Sequence, residues 1–112
     1  MRKRTVAVVL VAAVAAIAAL PVFAAPPKLQ GTVGPGFTIS MKTKPTKAGK
    51  YVLSVSDKSN IHNFHLTGPG VDKATDVQGT AKETWKLDLK PGTYDYVCDP
   101  HSGSMKGSFT VA

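Results

Sequence analysis

The sequence predicts an all-β fold, a Greek-key β-sandwich or barrel of about seven to eight short strands, and three observations carry that expectation. Beyond the first two dozen residues the apolar side chains recur with period two in runs of five or six. Gly and Pro clusters interrupt these runs at regular intervals, and no stretch beyond the amino terminus shows helical spacing. Many short strands with turn chemistry between them form a single two-layered β domain.

Residues 1–24 come first and differ in kind. Arg2, Lys3 and Arg4 form a basic start, Val6 to Leu20 is an unbroken apolar run, and Val22-Phe23-Ala24 ends on a small residue. This is the pattern of a secretory signal peptide cut after Ala24, which leaves residues 25–112 as the domain and places it in the periplasm or outside the cell. A cut after Ala25 would set Pro26 next to the scissile bond. The alternative is an uncleaved anchor, since Val6 to Ala25 is just long enough to span a bilayer.

Ala25 to Lys28 reads as a short leader. Leu29 to Val33 and Phe37 to Met41 alternate as strands on either side of Gly34-Pro35-Gly36, and Lys42 to Gly49 is a polar loop. Tyr51 to Ser56 is a strand with Tyr51, Leu53 and Val55 on one face, followed by the turn residues Asp57 to Asn60. Ile61 to Thr67 is a strand closed by Gly68-Pro69-Gly70, and Val71 to Lys82 lacks periodicity and reads as a long connection with room for a helical turn. Glu83 to Leu89 turns Trp85, Leu87 and Leu89 inward, Lys90-Pro91-Gly92 is a turn, and Thr93 to Cys98 puts Tyr94, Tyr96 and Cys98 on one face. Gly107 to Val111 is the last strand.

Without the signal the domain has 88 residues and a net charge of +4, from eleven Lys against seven acids, and no Arg. Nucleic-acid readers lean on Arg for bidentate contacts, and these Lys residues are scattered, so the charge fits a solvated surface or steering toward an acidic partner. A domain of this size buries only about two thirds of its unfolded surface and benefits from a staple. One Cys cannot form an internal disulfide. Its thiol needs another explanation.

The stretch after the penultimate strand supplies one. Cys98, His101 and Met105 place a thiolate, an imidazole and a thioether on one short loop, and sulfur donors select soft metals. Structural zinc sites use Cys and His, whereas two His, one Cys and a weak, long Met bond describe a type 1 copper site. A second His is needed, and His62 and His65 both precede the loop. Counting by twos from His62 gives Phe64 and Leu66, so a regular strand turning its apolar residues inward turns His62 inward too. A β-bulge would reverse the parity and bring in His65 instead.

Cys98-x-x-His101 followed by Met105, with His62-Asn63 upstream, resembles the small blue copper proteins called cupredoxins, the plastocyanin, pseudoazurin and amicyanin group. The resemblance runs from about Val33 onward. Three residues, Ser102 to Ser104, separate His101 from Met105, where plastocyanins usually carry four and amicyanins two, which leaves the subfamily open. The resemblance implies one copper ion cycling between Cu(I) and Cu(II), held by His62, Cys98, His101 and Met105. It also implies that Asn63 ties the ligand segments together, by its N–H to the Cys98 sulfur and its side chain to the opposite loop, and that His101 reaches solvent.

The implied function is outer-sphere transfer of single electrons between transient redox protein partners, by a monomer. A copper carrier or buffer using the same ligands is the alternative, and a metal-free binding sandwich is a third. Three His residues cannot supply both a type 1 site and a catalytic copper cluster, which argues against an enzyme.

Overall fold

A computed structural model describes residues 7–9, 11–13 and 24–112. Most of the expected signal segment therefore lies outside the described residues. Among the described residues no helix is long and apolar enough to cross a membrane. The domain has eight strands: β1 (Lys28–Val33), β2 (Ile39–Met41), β3 (Gly49–Asp57), β4 (His65–Gly68), β5 (Val71–Ala74), β6 (Ala81–Leu89), β7 (Gly92–Val97) and β8 (Lys106–Val111). They form two four-stranded sheets, ordered β2-β1-β3-β6 and β5-β4-β7-β8. The parallel pair β1 and β3 and the crossings between sheets give the Greek-key sandwich that the alternation predicts.

Each sheet turns one face inward. Leu29, Val33, Leu53, Val55, Trp85, Leu87 and Leu89 of the first sheet meet Leu66, Tyr94, Tyr96, Phe109 and Val111 of the second, all of them buried. Phe64 fills the space between the layers, stacked on Tyr96 with ring centroids 5.6 Å apart and tilted against Trp85. A Cβ at Gly31 would stand 2.8 Å from the Phe64 ring, so β1 needs glycine there for the ring to fit. Aromatic pairs of this kind add about 0.5–1.5 kcal/mol beyond their buried area. They fix the end of the sandwich from which the site is built.

Two segments depart from expectation. Val71 to Lys82 is not a featureless connection: Gly68 and Val71 pair across a tight turn, with Gly70 at φ +70°, and open the edge strand β5. Pro at the first and Gly at the second central position is what a type II turn demands. The strand was hidden because only Val71 of its four residues is buried, as suits an edge facing water. The strand expected over Ile61 to Thr67 begins only at His65, and residues 58–64 are irregular.

Buried hydrogen bonds hold that irregular segment. Asp57 accepts from Ser59 N–H at 3.2 Å and from the Thr75 hydroxyl at 2.8 Å, while Thr75 Oγ1 accepts from Phe64 N–H at 2.8 Å. Thr75 N–H returns a bond to the Phe64 carbonyl at 3.0 Å. Irregular backbone inside a core must find such partners, because each unpaired buried group costs about 1–3 kcal/mol.

Candidate metal centre

His62 lies on the irregular segment thus pinned, and its ring is fully buried. Loop 34–38, between β1 and β2, covers it closely: a Cβ at Gly34 would come within 3.5 Å of the His62 ring and 2.9 Å of Ser59. Gly34, at φ +70°, satisfies both the close approach and the turn. From the same loop the Phe37 ring stands edge-on to His62 and to His101, with centroids 5.0 and 5.1 Å away, while remaining 67% exposed.

The opposite wall is the loop from β7 to β8. Cys98 N–H donates to the Met105 carbonyl at 2.9 Å, closing the loop where β7 and β8 part, and Met105 N–H donates to the His101 carbonyl at 2.8 Å. Between these ties Asp99–His101 forms one 3-10 turn, with Pro100 in it where an N–H would have no partner. Cys98 and Met105 are buried, His101 is half-buried, and Pro100 and Gly103 are exposed.

Three donor atoms converge between these walls. His62 Nδ1 and His101 Nδ1 are 3.1 Å apart, and the Cys98 sulfur lies 3.6 and 3.5 Å from them. A point equidistant from all three stands about 2.0 Å from each, the bond length of a first-row metal to imidazole. Among the described residues His62 Nε2 is buried without a partner, so the ring's one engaged nitrogen is the one aimed at this point. The donor set and its spacing fit a copper ion. Met105 is brought to the base of the same loop, buried and with its backbone tied to Cys98 and His101.

His65 is not brought in. Its Nδ1 donates to Asp99 Oδ1 at 2.8 Å and its Nε2 to Asp72 Oδ1 at 2.6 Å. Asn63 ties the two walls through its side chain: Nδ2 donates to Asp99 Oδ2 at 2.7 Å, and Oδ1 accepts from Asp99 N–H at 2.8 Å. Of its implied N–H contact with the Cys98 sulfur, the hydrogen bonds among the described residues include none. The residues that sequence reasoning missed are Phe37, the Asp57–Thr75 pair, and Asp72 and Asp99. Asp99, between Cys98 and Pro100, carried the only local signal, since a carboxylate beside a soft-metal loop needs a partner.

The Asp99 hydrogen bond, then that of Asp72, raises the His65 pKa above its ordinary 6.5. Burial alone would raise the Asp99 pKa, but the hydrogen bonds from Asn63 and His65 outweigh it and hold the carboxyl below its ordinary 3.8. A raised folded pKa for His65 gives stability fully present below pH 6.5 and lost as pH climbs through the folded value. A lowered one for Asp99 gives stability present above pH 3.8 and lost as pH falls through its folded value. The melting temperature of the metal-free protein should therefore fall as pH rises above 6.5 more steeply in the wild type than in His65→Gln. Parallel slopes would show that the ion pairs add nothing.

Comparison with known proteins agrees with this geometry. The family described as copper binding proteins, plastocyanin/azurin family, matches residues 33–112. Amicyanin-alpha of Methylorubrum extorquens is 41% identical over 70 residues, covering 58% of this chain and 56% of that protein, so the matched part spans little more than half the relative's length. Among solved structures, reduced rusticyanin superposes with a TM-score of 0.56 at 18% identity over 80% of this chain and 82% of that one. Dithionite-reduced auracyanin of Roseiflexus castenholzii gives 0.54 at 19% identity, over 80% of this chain and 99% of that one. At such identities the two structures speak for the fold, and the family match, covering both ligand segments and the loop between β7 and β8, carries the rest: this chain belongs to the plastocyanin/azurin family of copper binding proteins.

Proposed function

We propose that the protein is an exported type 1 copper protein, cut after Ala24, that passes single electrons between redox partners, with His62, Cys98, His101 and Met105 as its ligands. The observation that carries this is the triangle of two Nδ1 atoms and one sulfur with sides of 3.1 to 3.6 Å. Copper bound there would supply a one-electron couple. The chain's own part is to hold the donors still, because a site that need not rearrange exchanges electrons fast. His62 is fixed by the Asp57–Thr75 bonds, Cys98 and Met105 by the loop ties, and His101 by its turn and the edge of Phe37. Burial of Cys98 and His62 keeps water from the donors.

His101 is the donor nearest solvent, at a cap where Pro35, Gly36, Phe37, Pro100 and Gly103 are exposed. Such a small, mostly apolar cap suits brief docking by a redox protein. The net charge of +4 on residues 25–112 favours an acidic partner, with the protein acting as a monomer.

The test is the domain loaded with copper(II). It should show intense thiolate-to-copper absorption that reductant bleaches reversibly, and fast electron self-exchange. Slow exchange with transfer of the metal to a partner would mark a copper carrier instead. Met105→Leu should keep copper yet raise the reduction potential, since losing a weak axial donor favours Cu(I). An unchanged potential would remove Met105 from the ligand set.

A further inference from the structure

His65 is the histidine that the cluster leaves out, and its surroundings are too specific for a solvated surface residue. Both ring nitrogens face carboxylate oxygens, Nδ1 toward Asp99 at 2.8 and 3.0 Å and Nε2 toward Asp72 at 2.6 Å. Carboxylates only accept, so both nitrogens must donate, and the ring is fixed in plane by its two ends. Asp72 lies on β5, His65 on β4 opposite Val97 of β7, and Asp99 directly follows Cys98. The bridge thus runs from the sheet edge across β4 to the first residue of the 3-10 turn.

The Asp99 carboxylate is half exposed, and without a second anchor water would compete for it. Its other partner is Asn63, which holds Asp99 by two hydrogen bonds and sits next to His62. Three side chains therefore form one clasp between the segment bearing His62 and the loop bearing Cys98 and His101. Exposed ion pairs contribute little to stability, but charge-assisted hydrogen bonds fix direction. Direction is what a metal site needs.

We propose that His65 is a positioning residue for the metal centre: bridging Asp72 to Asp99, it locks the Asn63–Asp99 pair and so holds the Cys98–His101 loop in register with His62. This rests on the copper reading above. Removing partners just outside the ligands costs about 10–100-fold in metal affinity, and His65 acts through Asp99 and Asn63, so the low end applies.

The experiment compares wild type with His65→Ala, His65→Gln and Asp72→Asn in two measurements. In the metal-free protein, amide exchange of Asp99 N–H, the donor to Asn63, should quicken in His65→Ala and in Asp72→Asn. His65→Gln, which can still donate to Asp99, should recover part of the protection. In the loaded protein, His65→Ala should bind copper about tenfold more weakly and shift the charge-transfer band without abolishing it. Wild-type exchange, affinity and band position in His65→Ala would overturn the proposal, and so would complete loss of the band, which would make His65 a ligand. If His65→Ala does not fold, Asp72→Asn decides by the same readouts, since Asp72 is exposed. If wild type itself takes up copper without colour, the copper reading fails, while Asp99 exchange still decides the clasp.

Discussion

Cys98→Ser is expected to remove the visible absorption of the copper-loaded protein completely. The band arises from charge transfer out of a thiolate, and Cys98 is the only cysteine in the chain, so no other side chain can supply it. Its sulfur sits 3.5 to 3.6 Å from the two histidine nitrogens, in a wall where the residue is fully buried. A serine oxygen is harder and keeps its proton at neutral pH, so it offers copper(I) no soft donor. The substitution nearly preserves shape, and the bond from Cys98 N–H to the Met105 carbonyl is backbone and survives. The metal-free variant should therefore melt close to wild type, which separates loss of the donor from loss of the fold. Absorption and electron paramagnetic resonance spectra after copper(II) addition check it. A serine variant that keeps the colour would sink the proposed ligand set.

Much of this site could be read in advance because its chemistry is local in sequence. Cys98, His101 and Met105 fall within eight residues, and a tight loop between two alternating strands leaves them little room to diverge. The strands read most easily were those with one wet face: in β6 the buried Trp85, Leu87 and Leu89 alternate with exposed Lys86 and Asp88. β5 escaped because an edge strand with three exposed residues carries no apolar period. The clasp escaped for a different reason. His65, Asp72 and Asp99 belong to β4, β5 and the loop after β7, and no spacing rule reveals that polar residues of two paired strands and a later loop meet. Asp57 looked like turn chemistry because it stands at a strand end, yet its carboxylate is buried and organises the segment carrying His62.

That segment makes the second large prediction the more exacting. Strand parity favoured His62 over His65, but the regular strand starts only at His65, so alternation cannot by itself be what turns His62 inward. Burial here does not alternate, since Asn63 is buried along with His62, Phe64 and Leu66; what seats the segment is Phe64, clamped by Thr75 and packed against Gly31 and Tyr96. With Phe64 fixed in the core and Asn63 tied to Asp99, His62 is left facing the sulfur. His62→Ala should therefore lose the charge-transfer band, since without its nitrogen the place beside Cys98, His101 and Met105 is open to water. His65→Ala should keep the band at saturating copper, because neither nitrogen of that ring points at the cluster. Titration of both variants with copper(II), followed by visible absorption and carried well past the wild-type endpoint, distinguishes a missing ligand from a weakened site. A band that survives in His62→Ala and vanishes in His65→Ala would mean that this segment rearranges when the metal binds, and would exchange the roles of the two histidines.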